Sequence, residues 1–172
     1  MKQIISFLAV AVISFSAVSS CAQDKSKRPS PPAKATVTTT KGVIISIDYS
    51  QPSVKGRTIG KEIAPYGEVW RTGANEATVF EINKEVTIGG KKLAAGKYGF
   101  YTIPGEKDWT IIFNKKSDHW GSDGYSAADD ALRTVSTAGK TASFTEKMTF
   151  VIDKSGKVSL LWGNVQVDFS VE

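Results

Sequence analysis

Phe144-Thr145-Glu146-Lys147-Met148-Thr149-Phe150-Val151-Ile152, then Asp153-Lys154-Ser155-Gly156, then Lys157-Val158-Ser159-Leu160-Leu161-Trp162, is the stretch whose reading decides the fold. Two runs rich in β-branched and aromatic residues flank a four-residue polar segment ending in Gly, the pattern of strand, turn, strand. Most of the chain around it follows the same grammar. Val43 to Tyr49 is β-branched and ends in alternation, Thr78 to Ile82 alternates apolar and polar, and Glu85 to Ile88 followed by Gly89-Gly90 reads as a hairpin arm with its turn. Further strands are predicted at Lys97 to Ile103, stopped by Pro104-Gly105, and at Trp109 to Phe113, Ala131 to Thr137 and Val165 to Val171.

Helical periodicity over ten or more residues is missing. Only Lys61 to Tyr66 and Ser126 to Leu132 suit a turn or two of helix. Without crossover helices a parallel sheet is disfavoured, so the expectation is all-β: an antiparallel β-sandwich, jelly-roll- or Ig-like, with one long irregular connection.

The first residues have a different texture. Met1-Lys2 opens a charged start, Ile4 to Val18 is apolar, and Ser19-Ser20 are small, which together read as a signal peptide over residues 1–22. Two processing routes fit: a lipobox ending at Cys21, which would be lipidated, or cleavage after Ala22. Cys21 is the only cysteine, so no intramolecular disulfide can form and the core must supply the stability. Residues 23–34 hold Pro29, Pro31 and Pro32 among polar and basic residues, and read as a disordered or polyproline-like tether. Residues 35–172 are then a single domain. The chain is expected to be exported, either periplasmic or an outer-membrane-anchored lipoprotein that meets the membrane only through Cys21.

A formal net charge of +5 over 172 residues suggests a polyanion partner until the charges are located. Lys2 goes with the signal, and Lys25, Lys27, Arg28 and Lys34 against Asp24 put most of the remaining excess in the tether. The domain itself is near neutral and lacks the basic footprint that phosphate backbones require, so no nucleic-acid partner is expected.

Enzyme and cofactor signatures fail on inspection. Gly139-Lys140-Thr141 is the tail of a Walker motif whose first glycine would fall on Thr134, and there is no Gly-x-Ser-x-Gly elbow. His119, the only histidine, lies in a loop with Trp120, Asp123 and Tyr125, where Asp123-Gly124 echoes a calcium loop without its ligand spacing. No metal and no cofactor is assigned.

The segment from Asp48 to Thr78 is longer than an ordinary connection and carries function-bearing residue types. Tyr66 and Trp70 supply flat faces, Arg57 and Arg71 forked donors, and Asn75 and Glu76 short polar groups. Tyr49-Ser50-x-Pro52-Ser53, Gly56-Arg57, Pro65-Tyr66-Gly67-x-x-Trp70-Arg71-Thr72-Gly73-Ala74-Asn75-Glu76-Ala77-Thr78, Ala95-Gly96-x-Tyr98, Ile103-Pro104 and Ile111-Ile112-Phe113-Asn114 resemble the bacterial family called domain of unknown function 2911. That resemblance spans roughly residues 35–172. It implies an exported, often lipid-anchored β-rich protein and supplies no activity or catalytic residue.

Two readings of the Trp-Arg-Thr-Gly-Ala-Asn-Glu run stay open. In one it is scaffold, with Trp70 plugging the core, its indole N–H on a carbonyl, and Arg71 tied to Glu76 or Glu68. In the other, Arg57, Tyr66, Trp70, Arg71, Asn75 and Glu76 form a ligand site, with His119, Trp120, Asp123 and Tyr125 as a second candidate loop. The leading functional expectation is a non-catalytic module that binds a small polar or glycan-like ligand. The alternatives are an accessory lipoprotein docking an envelope complex and a hydrolase using Glu76 with Asp123 as a carboxylate pair.

Overall fold

The computed structural model describes residues 24–172, so the expected signal peptide and Cys21 lie outside the described residues. The described residues form nine strands: β1 Pro32–Thr38, β2 Ile44–Ser50, β3 Thr78–Ile82, β4 Val86–Ile88, β5 Lys91–Leu93, β6 Gly96–Ile103, β7 Asp108–Asn114, β8 Asp130–Ile152 and β9 Lys157–Ser170. Two short 3-10 turns, Lys25–Lys27 and Ala127–Asp129, are the only helical elements among the described residues.

Seven strands form one sheet in the order β1-β2-β3-β6-β7-β8-β9, every neighbouring pair antiparallel, and β4 and β5 form a separate hairpin. Strand order follows chain order apart from that inserted hairpin, so the sheet is a meander. It curls into a sandwich-like shape because β8 serves two halves. From Asp130 to Thr137 it pairs with β7, and from Ala138 to Ile152 with β9, across register shifts near Lys140 and Thr145. The sequence divides this strand into two, since Gly139-Lys140-Thr141 breaks the pattern where the strand bends.

The curl brings the chain just beyond β2 onto β8. Met148 N–H donates to Pro52 O (2.9 Å), Val54 N–H to Glu146 O (2.9 Å), and Phe150 N–H to the Tyr49 hydroxyl (3.1 Å). Between the facing halves lies an aromatic core in which Phe80, Phe100, Phe113, Phe150 and Phe169 meet at centroid distances of 4.9 to 6.3 Å. Central strands β6 and β7 are covered on both faces. Tyr101 and Ile112 point away from the main core into a second small cluster with Ala77, packed against Tyr125.

The strand β1 begins at Pro32, inside the stretch read as tether. Its alternation pairs partly buried Ala33, Ala35 and Val37 with exposed neighbours, too weak an apolar signal to identify a strand, and proline is acceptable at the first position of an edge strand. Strand β5 escapes the sequence reading because Lys91-Lys92-Leu93 is three residues long with two lysines. The 61–66 stretch forms turns rather than helix.

Candidate functional site

Residues 51–77 form the long connection between β2 and β3, and they are held in place without regular pairing. Lys55, Ala64, Thr72 and Asn75 have φ values of 48°, 47°, 50° and 60°, and these are all the non-glycine residues with positive φ among those described. A β-branched residue in this region is a clear outlier, and Thr72 is fully buried as well. Its hydroxyl bonds with Thr102 Oγ1 (3.1 Å), and its carbonyl accepts from Thr78 Oγ1 (2.9 Å). Side-chain hydrogen bonds therefore enforce a backbone shape that the residue alone would avoid.

Trp70 follows from the same arrangement. Thr78 is the last β3 residue paired to β6, opposite Phe100, and beyond it Trp70 takes the vacated place beside Thr102, with reciprocal backbone bonds of 2.8 and 2.9 Å. The indole enters the core, donates to Gly73 O (3.1 Å), stacks on Trp162 at 5.2 Å and 14°, and meets Trp109 edge-on at 6.2 Å. The scaffold reading of Trp70 is therefore right about its hydrogen bond. Trp162, whose Trp-Gly-Asn context resembles that of the connection, is its stacking partner.

Arg71 departs from the expected ion pair. Glu76 is taken instead by Lys25 at 2.9 Å and by Arg28 Nη1 at 3.0 and 2.9 Å to its two oxygens. Arg71 Nε is buried without a hydrogen-bond partner among the described residues. Burial depresses the Arg71 pKa from its ordinary value, and the charge of Asp123 acts against that. Glu76 behaves oppositely. Partial burial raises its pKa, but the hydrogen bonds from Lys25, its own backbone N–H and Arg28 prevail and bring it down to about 2.

The two candidate loops come together. Ala77 N–H donates to His119 O and Gly121 N–H to Asn75 O, each at 3.0 Å, and Glu76 pairs as an isolated bridge with Trp120. Asn75 Nδ2 donates to Ser30 O (3.0 Å), so the chain leading into β1 is tied to the same place. Trp120 stands 59% exposed. The His119 Nδ1 lies 3.4 Å from the Tyr101 hydroxyl. Tyr125 belongs to a separate network, donating to Asp130 Oδ2 (2.9 Å) and accepting from Arg133 Nη2 (2.6 Å). Tyr66 covers Gly60, where an added Cβ would fall 2.1 Å from the phenol carbon Cζ, so only glycine fits beneath the ring.

A cleft of about 340 Å³ opens at the connection, with Arg57, Glu62, Trp70, Arg71, Gly73 and Trp162 among its walls. Of the six candidates in the connection, Arg57, Trp70 and Arg71 line it, while Glu76 lines a second hollow of about 200 Å³ beside Lys25 and Arg28. Arg57 is braced from behind by Val54 O (3.1 Å) and Ser53 O (2.7 Å). The indole N–H of Trp162, a side chain 1% exposed, has no acceptor among the described residues. Sequence reasoning missed Ser30 and Glu62 as cleft residues, because neither belongs to a recognisable motif and the curl alone brings Ser30 there. Among the described residues, no three His, Cys, Asp or Glu side chains cluster as metal ligands.

The family model described as "Protein of unknown function (DUF2911)" matches residues 30–171, and the chain belongs to that family. No curated protein and no solved structure matches it.

Proposed function

We propose that this member of the family is a non-catalytic binding module of the cell envelope whose cleft at the 51–77 connection takes a small polar or glycan-like ligand. One observation carries the reading: Arg71 Nε and Trp162 Nε1 are buried donors without acceptors among the described residues, and both side chains line the same cleft. An unmade buried hydrogen bond costs about 1–3 kcal/mol. A fold that leaves two such donors in side chains lining one cleft, at the end of a strained connection, supports a site that takes acceptors. A volume of about 340 Å³ suits a small ligand.

Export, and attachment through a lipid on Cys21, belong to the same proposal and rest on the N-terminal sequence. The described residues contain no helix long and apolar enough to cross a membrane. A hydrolase built on Glu76 with Asp123 has less support. A general acid at neutral pH needs a raised pKa, and Glu76 is held at about 2 by its cations.

Calorimetric titration of the full chain with neutral and acidic monosaccharides, disaccharides and dipeptides tests the reading. Saturable binding that disappears in Arg57→Ala supports it. No heat from any member, together with a crystal structure in which protein atoms fill the cleft, overturns it.

A further inference from the structure

Donors and acceptors in the cleft are unevenly used. Along its walls four acceptors are engaged within the protein: Gly73 O by the Trp70 indole, Ser30 O by Asn75, Pro52 O by Met148 N–H, and Glu62 Oε2 by Thr58 N–H at 2.8 Å. The Thr58 backbone N–H, with the N–H of Glu62 itself, also holds the Glu62 carboxyl below its ordinary pKa. The two buried side-chain polar atoms of its walls that have no partner among the described residues are both donors, Arg71 Nε and Trp162 Nε1. A ligand that satisfies these two donors must bring acceptors. Arg57 and Arg71 are the cations of its walls, facing Glu62 within the cleft and, at Arg71, the charge of Asp123 beyond it.

Resting on the binding-module reading, we propose that the cleft recognises a carboxylate, with Arg71 and the Trp162 indole N–H as its donors and the stacked Trp70–Trp162 pair as the apolar wall beside it. A carboxylate is planar, carries one negative charge and fits the edge of a guanidinium. Phosphate fits less well, because its second charge and its additional acceptor oxygens would require more donors than this cleft leaves free. Arg71 gains most from such a ligand, since its Nε exchanges an unmade hydrogen bond for a charge-assisted one. The carboxylate can belong to an acidic sugar or to a peptide C-terminus.

Matched pairs separate these sources and isolate the charge. The full chain is titrated with glucuronate against glucose, with acetyl-dialanine against its C-terminal amide, and with inorganic phosphate. The acid of one pair is expected to bind at least ten-fold tighter than its neutral partner, and which pair responds identifies the source. That preference should disappear in Arg71→Gln, and the affinity should fall several-fold in Trp162→Phe, which removes the N–H and retains the ring. Both variants should keep a folded thermal transition. Equal affinity for acid and neutral members would overturn the carboxylate assignment and leave the binding module standing. Phosphate binding more tightly than either acid would also overturn it. Silence from every probe, acid and neutral alike, would remove both proposals.

Discussion

The sheet and the 51–77 connection are built by opposite means. In the sheet, local preference and packing agree. Phe80, Phe100, Phe113 and Phe169 alternate inward from paired strands, and no residue of β1 to β9 other than glycine has positive φ. In the connection, Thr72 and Asn75 are held left-handed by side-chain bonds, and a guanidinium is partly buried without a partner for Nε. Sequences that fold well keep their levels consistent, and the usual exceptions are functional sites. Under the proposed function, the sheet is shaped by stability and the connection by the ligand it would hold.

Substitutions should divide along that line. Phe100→Ala removes a fully buried ring in contact with four other aromatic side chains, and should cost about 3–5 kcal/mol in chemical denaturation. A loss below ~1 kcal/mol would mean the aromatic cluster is not the centre of stability. Trp70→Phe keeps the ring in the core but removes the donor to Gly73 O, with an expected loss of about 1–2 kcal/mol. Because Trp70 belongs to both regions, its effect calibrates the boundary between them.

Smaller effects sharpen the comparison. The Glu76 pKa falls from an ordinary 4.5 to about 2 on folding, so its stabilisation is complete above pH ~4.5 and is lost as pH drops towards ~2. The Glu76 side chain is 40% exposed, and screening limits the effect to about 1 kcal/mol or less. Denaturation of wild type and Glu76→Gln should accordingly converge at the acid end of that window, and a constant difference across it would contradict the latch to Lys25 and Arg28. Least of all, Ala64→Gly should shift stability by under ~0.5 kcal/mol, since relief of a left-handed alanine offsets the extra freedom of the unfolded chain. In an extended strand the same change would be a clear loss.

Legibility in the sequence followed the same division. Alternation revealed Thr78 to Ile82 with the bounds the structure gives, because that strand obeys one period and is followed by the polar Asn83-Lys84. It could not reveal that Ala131 to Thr137 and Phe144 to Ile152 are one bent strand, since a bend interrupts the pattern without ending the hydrogen bonding. In the connection, residue types alone singled out Arg57, Trp70 and Arg71, which do line the cleft. Partners were another matter. The choice of Lys25 and Arg28 for Glu76 depends on where the N-terminal segment runs, and a contact across 48 residues leaves no local signal. Trp162 carries no local sign of its role beyond the strand-like run it ends, and its stacking on Trp70 depends on the curl of the sheet.

The most direct test compares the thermal unfolding midpoint of the full chain with that of Arg71→Ala. If Arg71 serves a ligand, truncating it removes a buried donor without an acceptor, and the midpoint should stay within ~2 °C of wild type or rise. If Arg71 serves the fold through a buried ion pair, removing it should cost about 3–5 kcal/mol. A fall of ~10 °C or more would then contradict the account.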